Sequence, residues 1–222
     1  MVVVDRRLEA VLAGVFVAAA VLYMSATGAG PARIALKPIP VLALALWVAA
    51  RNRTWPGRLV TAGLLLSALG DLVLETGRFL PGLVAFLAAH VAYVAAFVTD
   101  ERRLRLGLLV PFAAWSAGAF GLLRPGLGEL ALPVAAYVAV ITLMMWRAAA
   151  RVGGAGTALL PARLGALGAV AFGASDTLVA FDRFRQPIAY GELAIMLLYW
   201  LGQFGIAASA ALARVRRAER EA

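Results

Sequence analysis

Stretches of about twenty apolar residues follow one another along almost the whole chain. A helix rises about 1.5 Å per residue, so such a stretch spans roughly the 30 Å of hydrocarbon in a bilayer. In that solvent every backbone N–H and C=O must be paired internally, which leaves helices and closed barrels. The stretches do not alternate apolar with polar, so they do not read as barrel strands. The chain is therefore expected to be all-α, a polytopic membrane helical bundle. Its composition agrees: 63% of the 222 residues are hydrophobic, the mean hydropathy is +0.88, and soluble domains run near half apolar.

Eight spans are expected, at about 8–25, 34–50, 58–75, 79–99, 104–122, 129–149, 163–182 and 188–213. Charge, Gly or Pro breaks the apolar runs at Gly28-Ala-Gly-Pro31, Arg51-Asn-Arg-Thr-Trp-Pro56, Asp100-Glu-Arg-Arg103, Arg124-Pro-Gly126 and Gly153-Gly-Ala-Gly156. No loop is long enough for a soluble domain, so residues 1–222 read as a single integral-membrane domain. The first span follows Arg6-Arg7, but its apolar core is long for a signal peptide and it is expected to stay uncleaved.

A net charge of +9 would suggest nucleic acid in a soluble chain. Here the arginines gather in short loops, so the expected partners are anionic membrane lipids and not nucleic acid. The N-terminus, the loops after spans two, four and six, and the C-terminal tail hold 15 Lys/Arg against 5 in the other loops. That bias puts both termini in the cytoplasm. Richness in Ala, Arg and Gly suggests a GC-rich bacterial genome, and with it a bacterial cytoplasmic membrane. There is no cysteine and one histidine, which excludes disulfides, thiolate metal sites and His-rich metal sites. No metal or cofactor is expected, and oligomeric state has no signature in the sequence.

Two aspartates, Asp71 and Asp176, lie inside the apolar runs. A carboxylate at membrane depth costs roughly 2.5–3.5 kcal/mol, so it is seldom there for stability alone. The flanking sequence repeats: residues 56–79 and 161–184 share seven identities in 24 pairs, including Pro56/Pro161, Arg58/Arg163, Asp71/Asp176, Arg78/Arg183 and Phe79/Phe184. Two four-helix halves, about 1–103 and 104–222, are inferred as a parallel repeat. Each Asp follows its cytoplasmic Arg by thirteen residues, about 20 Å along a helix, so both are expected at one depth in the outer half of the bilayer.

Close carboxyls in a low dielectric share a proton and offer an acid and a base together. Aspartyl proteolysis, acid-catalysed ether cleavage and proton-coupled transport all use that property, and a lipid-binding protein without catalysis is a further reading. A protease fits less well, because no Gly-x-Gly-Asp-like loop precedes either Asp. Lys37, His90, Glu192 and Glu75 fall on or near the same level, and Tyr93, Tyr199 and Gln203 lie deeper. Each has a plain alternative: Lys37 snorkelling to the interface or pairing with Asp71, His90 and the tyrosines packing, the glutamates marking helix ends.

Five motifs taken in order resemble the YhhN family of membrane proteins, which includes the lysoplasmalogenases. They are Lys37-Pro38, Ser67-Ala-Leu-Gly-Asp71, the run of Gly82, Phe86, His90 and Tyr93, then Phe172-Gly-Ala-Ser175-Asp176 and Tyr199-Trp-Leu-Gly-Gln203. Together they cover roughly residues 34–207. Glu75 departs from the family pattern, where an apolar residue is expected, and is held outside the site. The resemblance implies hydrolysis of the vinyl-ether bond of lysoplasmalogens, the lysophospholipid substrates, to a fatty aldehyde and glycerophosphocholine or glycerophosphoethanolamine. It implies Asp71 and Asp176 as the catalytic acid and base, with Lys37, His90, Tyr93, Ser175, Tyr199 and Gln203 on the substrate side.

Overall fold

The computed structural model describes residues 6–26, 28 and 30–213. These form nine α-helices: α1 (Arg6–Ser25), α2 (Pro31–Leu36), α3 (Ile39–Arg51), α4 (Trp55–Glu75), α5 (Phe79–Asp100), α6 (Leu109–Leu127), α7 (Ala131–Ala150), α8 (Leu159–Phe184) and α9 (Gly191–Ala211). The described residues contain no strand. Seven helical segments are long and apolar enough to cross a membrane; α2 and α3 make up one, and the longest, Leu106–Ala150, holds both α6 and α7.

Three boundaries depart from the expected spans for local reasons. Span two is interrupted at Lys37-Pro38, because Pro38 and Pro40 have no N–H to return to the carbonyls of Ile34 and Leu36. Arg124-Pro-Gly126 does not stop its helix. Pro125 lies inside α6, which ends only at Gly128, where φ is +51°. α6 also starts later than expected, at Leu109, after Arg105 at φ 39° and a short 3₁₀ turn.

The surface and interior are inverted relative to a soluble protein. Leu46, Leu167 and Leu201 are each 60% or more exposed, whereas Ser67, His90 and Gln203 are fully enclosed. A chain with that arrangement has its apolar solvent outside, so packing between helices rests on close fit and internal polar contacts.

Close fit is extensive where α8 crosses α9. A Cβ on Gly205 would stand 2.7 Å from the Gly168 Cα and 2.8 Å from the Leu164 carbonyl oxygen. One on Gly202 would stand 2.8 Å from the Phe172 nitrogen. The backbones touch with no side chain between them, and this draws Tyr199 on α9 toward the neighbouring helices. At the far end of the bundle, the Asn52 side-chain amide donates to the Ala210 carbonyl at 2.9 Å. Arg151 there donates to Ser209 Oγ at 2.9 Å and to Asp100 Oδ2 at 2.7 Å. Buried Arg147 donates to the carbonyls of Arg103 and Glu101, closing the loop between α5 and α6.

Gly205→Val is expected to lower stability by about 1–3 kcal/mol through overpacking against backbone, read as thermal melting in detergent. Gly14→Ala, where an added Cβ meets nothing within 4 Å, should melt no lower than the parent.

Candidate functional site

A cavity of about 1050 Å³, counting the space open to the outside, lies among α4 to α9. Asp71 and Asp176 both line it, as do Lys37, Ser175 and Tyr199. The two aspartates therefore face one space, although they come from helices far apart in the chain.

Each carboxyl is held by a tyrosine. The Tyr199 hydroxyl donates to Asp71 Oδ2 at 2.6 Å, and the Tyr137 hydroxyl donates to Asp176 Oδ2 at 2.6 Å. Asp71 is 2% exposed, while the Asp176 side chain keeps 22% of its surface open. His90 Nε2 lies 4.0 Å from Asp176 Oδ2. Both ring nitrogens of His90 are buried, and neither makes a hydrogen bond of good geometry. Its ring is held edge-on by Phe172 at 4.7 Å and Tyr137 at 5.1 Å between centroids. Phe172 in turn meets Tyr199 at 5.3 Å, so one aromatic stack runs behind both carboxyls.

The sequence placed Tyr199 deeper than the aspartates. A helical side chain leans toward the N-terminus of its own helix, and this carries the Tyr199 hydroxyl up to Asp71. Tyr93 and Gln203 do lie behind the cavity lining: the Tyr93 hydroxyl donates to Gln203 Oε1 at 2.8 Å, with Ser67 Oγ 3.4 Å away. Ser175 Oγ is turned to the Ile195 carbonyl oxygen at 2.9 Å.

Lys37 does not take Asp71 as its ion-pair partner. Its Nζ lies 2.8 Å from Glu75 Oε2, and Arg33 Nε lies 2.9 Å from Glu75 Oε1. Arg33 also pairs with Glu192 and donates to the Tyr23 hydroxyl. The two glutamates thus belong to a charge-neutral cluster joining α1, α2, α4 and α9, next to Asp71, rather than marking helix ends alone.

Away from this cluster the cavity wall is mainly apolar. Leu83, Trp115, Val138, Ile141, Met145 and Val179 are part of it, with Ser116 and Thr177 among them. An apolar pocket with a few convergent polar groups suits an amphiphile with one long tail. Among the described residues, no three His, Asp or Glu side chains are grouped to hold a metal ion.

Sequence reasoning missed Tyr137, Tyr23 and Arg33. A usable signal existed for Tyr137: a carboxyl buried in hydrocarbon needs a donor, and span six has one tyrosine.

The YhhN family model matches residues 32–210. The chain is 36% identical over 180 residues to the lysoplasmalogenase TMEM86B of Homo sapiens, covering 79% of this chain and 74% of that protein. It is 35% identical over 189 residues to the lysoplasmalogenase TMEM86A of Bos taurus, covering 81% and 78%. A lysoplasmalogenase of Mycobacterium bovis is 33% identical over 161 residues, covering 68% of this chain and 56% of that protein. No solved structure matches the chain.

Glu75→Gln leaves Lys37 and Arg33 without their shared carboxylate and should lower stability by about 1–2 kcal/mol. Thermal melting checks this. The double change Lys37→Met with Glu75→Met should recover most of that loss.

Proposed function

We propose a function for this protein from one premise: the chain belongs to the YhhN family. It is an ether-lipid hydrolase of the membrane that cleaves the vinyl-ether bond of lysoplasmalogens, the class named in its relatives. One observation carries the reading. Two carboxyls, each fixed by a tyrosine, face a single cavity whose wall is mainly apolar.

The chemistry suits that pair. Hydrolysis of an enol ether is limited by delivery of a proton to the β-carbon. The double bond takes the proton, and the α-carbon becomes an oxocarbenium ion conjugated with the ether oxygen. One aspartic acid supplies the proton, and its ionised partner stabilises the cation and draws a proton from the attacking water. The resulting hemiacetal collapses to a fatty aldehyde and the free hydroxyl of glycerophosphocholine or glycerophosphoethanolamine. Tyr137 and Tyr199 keep each carboxyl oriented toward the cavity. His90, beside Asp176, orients water. Lys37 contributes a partly neutralised charge on the headgroup side. Ser175, Tyr93 and Gln203 act through position: Ser175 fixes α8 to α9, and the Tyr93–Gln203 pair supports the wall behind the site.

The same reading includes eight crossings in two repeated halves, with α6 and α7 crossing separately. The packing supports it. α1 packs on α3, α3 on α4, α4 on α5, and α3 on α9; correspondingly α6 packs on α7, α7 on α8, α8 on α9, and α7 on α5. Exchanging the halves converts one set of contacts into the other. The charge bias favours both termini in the cytoplasm of a bacterial host.

Asp71→Asn and Asp176→Asn should each lower kcat for vinyl-ether hydrolysis by about 10² or more in protein that melts normally. Release of fatty aldehyde by the purified protein is the measurement. Retained wild-type turnover in either variant rejects the acid–base assignment. Tyr137→Phe should give a smaller loss, about tenfold, since it orients a carboxyl without entering the bond changes.

A further inference from the structure

The internal repeat ends on the same two residues in both copies, Arg78-Phe79 and Arg183-Phe184, and the reaction above uses none of them. Both phenylalanines line the cavity that holds the aspartates, and their rings meet edge to face at 5.6 Å. The Arg183 guanidinium stands 4.0 Å from the centroid of Phe79 and 5.8 Å from that of Phe184. The arginine of the second copy thus reaches the ring of the first, whose own arginine is the preceding residue. Both arginines are exposed. Neither has a carboxylate within ion-pair distance among the described residues. The other cations beside the site, Lys37 and Arg33, are already matched by Glu75 and Glu192.

Position adds to this. Arg183 follows Asp176 by seven residues on α8, two helical turns or about 10 Å along one face. Past the aspartates in the other direction the wall is Trp115, Ile141 and Met145, which suits a hydrocarbon tail. A single-tailed ether phospholipid with its ether bond at the aspartates then directs its phosphate, one glycerol unit away, toward Phe79 and Phe184. A guanidinium can keep its face on an aromatic ring while its edge donates to phosphate oxygens.

We propose that Arg183 and Arg78 form the binding site for the phosphate of a lysophospholipid, with Phe79 and Phe184 as the collar through which its glycerol passes. This rests on a single-tailed phospholipid occupying the cavity, not on cleavage of the ether. The test therefore uses saturated, non-hydrolysable ligands: a 1-alkyl-lysophosphocholine, and the same alkylglycerol without phosphate, bound to the full chain in detergent and followed by calorimetry. The wild-type protein should prefer the phosphate-bearing ligand by about tenfold or more, as one charge-assisted contact provides. In Arg78→Gln with Arg183→Gln that preference should disappear while affinity for the alkylglycerol stays the same. Should the double variant not fold, Arg78→Gln alone should lose part of the preference. An unchanged preference overturns the proposal, and so does an equal loss for both ligands, which signals a structural role. A two-tailed phospholipid that competes as well as the lysophospholipid also overturns it, since the arginines would then hold bilayer lipid. Preference without any aldehyde release from a vinyl ether would reject the hydrolase reading and leave this site standing.

Discussion

Two carboxyls enclosed by hydrocarbon need donors from within the protein, and much of the bundle around the cavity serves that need. Tyr199 reaches Asp71 from α9 and Tyr137 reaches Asp176 from α7. For those hydroxyls to arrive, α9 must lie close to α4, and α7 close to α8. The glycine crossing of α8 and α9 provides the approach on one side, with Gly202 and Gly205 removing every side chain between the backbones. An edge-to-face aromatic cluster of His90, Phe172 and Tyr199 packs beside the two carboxyls. An unpaired carboxylate in that position would be far less stable than either pair.

Charge elsewhere in the bundle is treated the same way. At the end next to Asp71, Arg33, Lys37, Glu75 and Glu192 form a cluster with no net charge. At the opposite end, Arg151 is enclosed against Asp100 and Ser209, and Arg147 takes backbone carbonyls. These contacts join segments distant in sequence, so they fix how the helices are arranged as well as neutralising charge.

The aspartates were legible because a carboxyl in an apolar run conflicts with its solvent, and the repeat linked them before any contact was known. The helices were legible for a related reason, since hydrocarbon permits few backbone forms. Tyr137 was not, because a tyrosine within a span is ordinary until its partner is known. Glu75 stands where the resemblance leads one to expect an apolar residue, yet both its oxygens are engaged by cations. Single-sequence reading sees the departure but not the neighbouring Arg33 and Lys37 that accommodate it. Pro125 shows the limit of breaker residues: it removes one hydrogen bond, and α6 runs on through Gly126 to Gly128, where φ turns positive. Lys37-Pro38 reads as a motif in the sequence, but its effect on the helix depends on Pro40 as well.

The cavity has two unlike boundaries, an apolar wall that includes α6 and an end set with Phe79, Phe184 and exposed arginines. A reaction that splits an amphiphile yields one product soluble in oil and one soluble in water. With such boundaries the fragments need not leave by one route. Under the proposed vinyl-ether cleavage, the aldehyde would partition sideways into the membrane while the phosphodiester departed into the aqueous phase. Release would then be driven by phase separation of the products, with no rearrangement of the bundle needed to expel either.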